Sequence, residues 1–403
     1  MILKDKAEDK ININEEFWII FDKTIFFAEG SGQVSDTGII KTETGSAEII
    51  DCQKIMGNKY LHKVKLISGV IKTNQSASLK LNINKRLAIA RNHSATHLLH
   101  KILKENININ TKQMGSYVDE NRLRFDFLYP NPISNEKLDL IQDELNKKIL
   151  ECLDVDIKYK NINDAIDLGA VALFGEKYGD VVRVVNIGDY SIELCSGTHV
   201  NNTAQIGLLK IISETGVSSG VRRIEALTGQ AALDYYKNLE KKFYQACDLL
   251  NANKNNFIDK LKNNLREQEI NNNKLLELEN MSADSLAKDI FSKRELINNI
   301  NLVFYVFDNQ DQKFLQIVLD KLKLFSKDNA CAIFLFNKLD NKVNLIAGRN
   351  DNNNNFDLHI GNKVKDLVQK FGGKGGGKKT YAQAGGIMAS DLDKLINVLR
   401  SSF

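Results

Sequence analysis

His93-Ser94-Ala95-Thr96-His97 and Cys195-Ser196-Gly197-Thr198-His199, about a hundred residues apart, decide how this chain is read. Each stretch offers two metal donors four positions apart, and together they supply the imidazole nitrogens and the sulfur that Zn²⁺ prefers. The spacing predicts a site assembled across the fold from two distant segments.

The first motif has a helical setting. Residues 85–103 carry apolar side chains at Leu87, Ala88, Ala90, Leu98, Leu99, Ile102 and Leu103, with neither Gly nor Pro, as in an amphipathic helix. Positions i and i+4 share a helical face, so His93 and His97 can point at one ion. His100 lies near that face, but a rise of about 1.5 Å per residue sets it roughly 10 Å from His93 along the axis. The second motif follows a strand pattern. VVRVVNIGDYSIEL (residues 181–194) is β-branched and interrupted at Gly188-Asp189, which predicts a hairpin ending at Glu193-Leu194. Cys195 then opens a loop that His199 closes, with Gly197 permitting the tight turn.

Each half has a plain structural alternative: an i,i+4 histidine pair can be a packing accident, and a single Cys is usually a small buried hydrophobe. Finding both motifs in a chain with only six His and five Cys brings a metal site level with those alternatives. Two zinc enzymes are excluded by the same residues. H-E-x-x-H proteases need Glu where Ser94 stands, and nucleobase deaminases need H-x-E with P-C-x-x-C, which does not occur.

RNHSATHLLH (residues 91–100) and LCSGTHV (residues 194–200) closely resemble the two zinc-motif segments in the editing domain of alanyl-tRNA synthetases and in the free-standing AlaX trans-editing proteins. IFFAEGSGQVSDTG (residues 25–38) resembles the Gly-rich signature that precedes this domain, with Gly30 and Ser31 in the reverse of the usual Ser-Gly order. SSGVRRIEALTG (residues 218–229) resembles the segment that closes it, and GGKGGGKKTYAQAGG (residues 372–386) resembles the glycine-rich signature of the synthetase's C-terminal domain. The likeness runs over residues 16–403.

The resemblance implies hydrolytic proofreading of tRNA(Ala) mischarged with serine, and with glycine. His93, His97, Cys195 and His199 match the zinc ligands; Thr96 and Gln113 match editing-pocket positions. Gly32 and Gln33 would border the same pocket, and Arg222 and Arg223 match basic positions near it. An ATP-using aminoacylation core finds no upstream segment here long enough to hold it, so the chain is expected to edit without charging tRNA, as the C-terminal part of an alanine–tRNA ligase. The rival from another class is a non-catalytic tRNA-binding module with a structural zinc.

Ester hydrolysis requires a water held against the carbonyl carbon and stabilisation of the oxyanion. Zinc can do both with an open coordination position, yet four protein donors close a tetrahedral shell, which is the pattern of structural sites. Both readings stay open on sequence grounds. Selectivity has a size logic, because an alanine pocket cannot strongly reject the smaller glycine or an added hydroxyl, so a second hydrolytic sieve is needed. Thr96 is the candidate partner for the serine hydroxyl; otherwise its own hydroxyl bonds back to a carbonyl in its helix.

A chain of 403 residues suggests two to four domains, and a net charge of +4 permits nucleic-acid binding without demanding it. MILKDKAEDK at the start has no apolar h-region, apolar runs such as CAIFLF (residues 331–336) are too short to span a membrane, and the Cys residues form no secreted framework. A cytoplasmic protein with neither a DNA nor a membrane partner is expected.

The predicted class is α+β and multidomain: a small Gly-rich β-barrel over residues 1–81, an α+β zinc-containing editing domain over 82–229, a helical or coiled-coil arm over 230–300, and a C-terminal α/β tRNA-binding domain over 301–403. In the arm, apolar residues from Leu239 to Leu265 follow three- and four-residue steps, interrupted at Asn253 and again at NNNK (residues 271–274), as in an imperfect coiled coil or a helical hairpin. The resemblance implies an arm joining two tRNA-contacting domains, with a homodimer contact through the arm or the C-terminal domain. Gly372 to Lys379 nearly satisfies a P-loop, but Lys379 replaces the magnesium-binding Ser or Thr and a helix-like NKVKDLVQKF precedes it, and both features argue against a nucleotidase. A Gly-rich loop with Lys374, Lys378 and Lys379 can instead approach a phosphate backbone; its plain alternative is a mobile glycine loop. The Asn tract at residues 352–355 reads as a surface loop.

Overall fold

A computed structural model describes residues 2–3, 14–55, 59–172, 179–326, 330–350 and 358–403. The Asn tract at 352–355 and most of the charged N-terminal segment lie outside the described residues. The chain forms two compact units, Met1–Ala246 and Cys247–Phe403. Several separate sheets and their helices make it a multidomain protein of mixed α and β structure.

The first unit begins with a six-stranded antiparallel sheet: β1 (Ile2–Leu3), β2 (Glu16–Ile20), β3 (Gly38–Lys41), β4 (Gly45–Ile55), β5 (Lys59–Gly69) and β6 (Ser78–Leu81), in the order β1-β2-β5-β4-β3-β6. Its strands alternate as their sequences demand. Phe17 and Ile19, then Val64 and Leu66, point into a core shared with Ile40, Ala47 and Ile49. The expected closed barrel does not form among the described residues, where β1 and β6 remain unpaired with each other at opposite edges. Strand bending appears instead as register shifts in β4 at Ser46/Ala47 and Ile49/Asp51.

A 24-residue helix, α1 (Ile83–Asn106), follows, started by the Asn82 side chain accepting from the Lys85 amide at 3.1 Å. It packs with α2 (Asn135–Leu150) on a four-stranded sheet of β7 (Gln113–Val118), β8 (Leu123–Leu128), β12 (Leu209–Ser218) and β13 (Val221–Thr228), ordered β12-β13-β8-β7. A three-stranded sheet of β9 (Val155–Asn161), β10 (Val181–Ile187) and β11 (Ser191–Leu194) completes the unit, with α3 (Ile162–Asp167) between β9 and β10. Leu98, Leu99, Ile102, Phe125 and Phe127 form the core between helix and sheet.

α1 departs from the amphipathic expectation. Leu87 is exposed, and every residue from 92 to 100 is buried, the polar ones included. A helix enclosed on all sides must satisfy its polar side chains internally.

α4 (Gly229–Leu249) leaves this core, and the division between the units falls within it. The second unit contains α5 (Phe257–Ser292), which runs unbroken through NNNK at 271–274. Asn is a weak helix former rather than a breaker, and the flanking Leu, Glu and Lys carry the helix across it. The expected break near Asn253 does occur, with Asn251 at φ +48°. Beyond lie β14 (Glu295–Ile297), β15 (Ile300–Asp308), α6 (Gln312–Phe325), β16 (Cys331–Leu339), β17 (Lys342–Arg349), α7 (Ile360–Gln369), β18 (Lys374–Gly377), β19 (Tyr381–Met388) and α8 (Leu392–Ser401). They form one mixed sheet, β14-β15-β16-β17-β19-β18, in which β15 and β16 are parallel across α6. No helix among the described residues is long and apolar enough to cross a membrane.

Candidate metal centre

α1 places His93 and His97, and the loop after β11 places Cys195 and His199. Their four donor atoms lie within 4.8 Å of one another. Cys195 Sγ is 3.3 Å from His93 Nε2 and 3.4 Å from His199 Nε2. Tetrahedral zinc, with bonds of about 2.05 Å to nitrogen and about 2.3 Å to sulfur, separates such donors by roughly 3.5 Å. The donor set and its spacing therefore fit zinc.

The loop is held by local features of the sequence. β10 and β11 are joined by Gly188, Asp189 and Tyr190; Gly188 and Asp189 take φ of +54° and +55°, and the Tyr190 amide donates to the Ile187 carbonyl at 2.9 Å, closing the tight turn. The Cys195 amide donates to the Arg183 carbonyl (3.1 Å), and Arg183 Nη1 donates to the Cys195 carbonyl (2.7 Å). Gly197 is needed for a different reason from the expected turn. A Cβ there would sit 2.0 Å from His93 Cε1 and 2.3 Å from its Nδ1.

Outer partners orient the rings. His93 Nδ1 lies 2.8 Å from Gln33 Oε1, and His199 Nδ1 lies 3.1 Å from Ser94 Oγ, which also accepts from the Val200 amide. His97 Nδ1 is 3.6 Å from Glu193 Oε2, beyond hydrogen-bond reach. His100 stands outside the cluster and donates from Nδ1 to Glu193 Oε1 at 2.9 Å. Burial pushes the pKa of His93 and of His199 well below the usual imidazole value, and lowers that of His97 against the pull of Glu193. Burial alone would raise the Glu193 pKa, but His97, His100 and Lys104 outweigh it and the net shift is downward. The imidazoles are thus neutral near neutral pH, with lone pairs free for a metal.

The Gly-rich loop reaches this centre by adding to the edge of β7. Val34 N–H donates to Val118 O (3.0 Å) and Val118 N–H to Gly32 O (2.8 Å). Gly32, at φ +72°, leaves no room for a side chain, since a Cβ would lie 2.2 Å from Ser116 Oγ. The reversed Gly30-Ser31 pair has a backbone consequence: Ser31, not glycine, holds the left-handed conformation at φ +51°, a cost of about 1 kcal/mol. Its hydroxyl lies 2.6 Å from that of Ser196.

Thr96 is buried and donates its hydroxyl to the Asn92 carbonyl at 2.9 Å, so only acceptor capacity remains for a ligand. Gln113 donates to Ser116 Oγ (3.2 Å) and lines a cavity of about 370 Å³ with His100, Lys104, Thr111 and Lys112. His100 Nε2 and Thr111 Oγ1 are buried without a hydrogen-bond partner among the described residues. Arg222 pairs with Glu214, and Arg223 with Asp126 at 2.7 and 2.8 Å, so both guanidinium groups are engaged on the sheet of β8, β12 and β13. In the second unit the expected glycine loop is instead a hairpin: Lys374 opens β18, Lys378 and Lys379 lie in the turn to β19, and all three are exposed. Glycines beside them have packing reasons: a Cβ at Gly375 would meet Ala384 Cβ at 2.3 Å, and one at Gly377 would meet Tyr381 O at 2.1 Å. Gly376 faces open space.

Sequence reasoning missed Ser94, Arg183, Glu193 and Thr198. Glu193 had a readable signal, since strand alternation puts it on the same side as Cys195 two residues on.

Comparison with known proteins follows the same outline. The family described as "Threonyl and Alanyl tRNA synthetase second additional domain" matches residues 182–225, "tRNA synthetases class II (A)" matches 1–85, and "DHHA1 domain" matches 299–403. The alanine–tRNA ligase of Acetivibrio thermocellus is 38% identical over 98% of the chain, and that of Clostridioides difficile 40% identical over 99%. The chain is a homologue of alanine–tRNA ligase. It spans 45% of the length of either ligase. The C-Ala domain of Aquifex aeolicus alanyl-tRNA synthetase superposes over 27% of the chain and 96% of that domain, with 20% identity and a TM-score of 0.25. The zinc-motif loop falls inside the second additional domain that this family shares with threonyl enzymes.

Proposed function

We propose that this alanine–tRNA ligase homologue hydrolyses mischarged Ser-tRNA(Ala), and Gly-tRNA(Ala), in a zinc-containing editing site. The observation that carries the reading is the convergence of His93, His97, Cys195 and His199, from segments a hundred residues apart, within a chain related to alanine–tRNA ligases throughout its length. When bound, zinc supplies positive charge that orients and polarises the aminoacyl group.

The chain's own residues supply the rest. Gln113, His100 and Thr111 line the cavity that we assign to the aminoacyl end of the tRNA. His100, Thr111, Lys104 and Lys112 make the cavity wall polar, which would favour a seryl hydroxyl over an alanyl methyl. Gln113, whose Nε2 donates to Ser116 Oγ, lies in that wall and positions water against the ester. Thr96 contributes as an acceptor for the seryl hydroxyl, because its own proton is committed to Asn92. Lys374, Lys378 and Lys379 contact the tRNA backbone by charge, and Arg222 and Arg223 shape the sheet beside the site through their ion pairs. Functionally the chain divides into segments 1–81, 82–229, 230–300 and 301–403, the last two serving tRNA capture and homodimer contact.

The four-donor shell favours a second reading, a structural zinc in a non-catalytic tRNA-binding module. The deciding experiment follows deacylation of Ser-tRNA(Ala) and Ala-tRNA(Ala) by the purified chain and its Cys195→Ala variant, with zinc content measured in both. Selective loss of serine, reduced more than about 100-fold in folded Cys195→Ala together with loss of zinc, supports the editor. Stoichiometric zinc and intact tRNA binding without hydrolysis would support the module.

A further inference from the structure

We propose that Gln33 is a positioning residue for the metal centre: its side-chain carbonyl fixes the tautomer of His93, and thereby couples docking of the Gly-rich loop to metal affinity. The proposal rests on the zinc reading above and does not depend on the deacylation reaction.

The hydrogen-bond chemistry allows one assignment. Gln33 Oε1 lies 2.8 Å from the Thr198 backbone nitrogen. A backbone amide only donates, so the side-chain atom facing it is the carbonyl oxygen. The same oxygen lies 2.8 Å from His93 Nδ1 and can only accept there as well. Nδ1 therefore carries the proton, and Nε2, which faces Cys195 Sγ at 3.3 Å, carries the lone pair. A third donor, Thr198 Oγ1, reaches this oxygen at 3.2 Å. Three donors from two elements thus converge on one carbonyl.

The rest of the side chain points to the same role. Gln33 is 1% exposed, and its Nε2 is buried without a hydrogen-bond partner among the described residues. Burying an unpaired amide donor is a cost that an apolar side chain of similar shape would avoid, so the position is polar for the sake of the carbonyl end. Gln33 also reaches the centre only while its loop is paired with β7 through Gly32, Val34 and Val118. Thus a residue from the N-terminal sheet segment completes a centre whose donors all come from α1 and the β11 loop.

The test compares wild type, Gln33→Leu and Gln33→Glu in the full chain. Zinc affinity is measured by competition with a chromophoric chelator, and the His93 tautomer of metal-free protein by NMR of ¹⁵N-histidine. Wild type should show the Nδ1–H form. Gln33→Leu should bind zinc about 10–100-fold more weakly and lose that preference, whereas Gln33→Glu, which keeps an acceptor for His93 and Thr198, should restore both. Equal affinity of Gln33→Leu and wild type, or an Nε2–H form in wild type, overturns the proposal. Should Gln33→Leu fail to fold, a more than tenfold loss in folded Gln33→Glu overturns it instead. Wild-type protein that takes up no zinc sinks the zinc reading and the coupling together, which the wild-type titration distinguishes from failure of the coupling alone.

Discussion

α1 and α5 are both long helices, and they invert each other's chemistry. α1 buries Asn92, His93, Ser94, Thr96, His97 and His100, whereas α5 exposes Leu276 at 53%, Leu278 at 63% and Met281 at 70%. Only the C-terminal part of α5, at Ala283, Ala287 and Ile290, enters a core. Side-chain polarity therefore does not report burial in either helix. A buried polar residue must find a partner, and in α1 those partners build the metal centre; an exposed apolar residue needs none.

Four measurements would break or sharpen that contrast. Leu99→Ala, in the enclosed part of α1, should cost about 2–5 kcal/mol of stability in denaturant unfolding of the first unit. A cost below about 1 kcal/mol would mean that α1 is not enclosed as described. Gly197→Ala should cost about 1–3 kcal/mol and displace His93, read as weakened zinc uptake, because the added Cβ meets a ring rather than a flexible chain end. Metal-free protein should also lose stability as pH falls from 7 toward 5. The pKa values of His93, His97 and His199 are depressed in the fold, so the unfolded state takes up protons first on acidification, and native stability is retained only above the ordinary histidine range. A stability that is flat across this interval would show that these rings are not buried as neutral groups. Leu276→Ala, the counterpart of the first substitution in α5, should change stability by less than about 0.5 kcal/mol. A loss above about 1 kcal/mol that depends on protein concentration would show that a second copy covers this face.

The two zinc-type motifs were legible because their chemistry is local. An i,i+4 pair of histidines and a Cys-x-x-x-His loop after a β-branched hairpin need no knowledge of the rest of the chain. The helix over 83–106 and strands β15, β16 and β17 were equally readable, since periodicity reports the element, whereas the unbroken course of α5 through 271–274 and the strands β18 and β19, within the segment read as a glycine loop, were not. Closure of the N-terminal sheet was not, because strand patterning is the same whether or not the two edges meet. Nor was the burial of α1 on every side, which no period-3.6 pattern encodes.

Sequence by itself determined the relationship to alanine–tRNA ligases and the four candidate donors, both of which follow from residue identity and spacing. Tertiary structure alone decided that Gln33 meets His93 and Thr198, that Glu193 lies between His97 and His100, that Thr96 turns its proton to Asn92, and that Gly197 makes room for a ring. These contacts join segments far apart in the chain or depend on how a buried polar group is satisfied, and both are fixed only when the core closes around them.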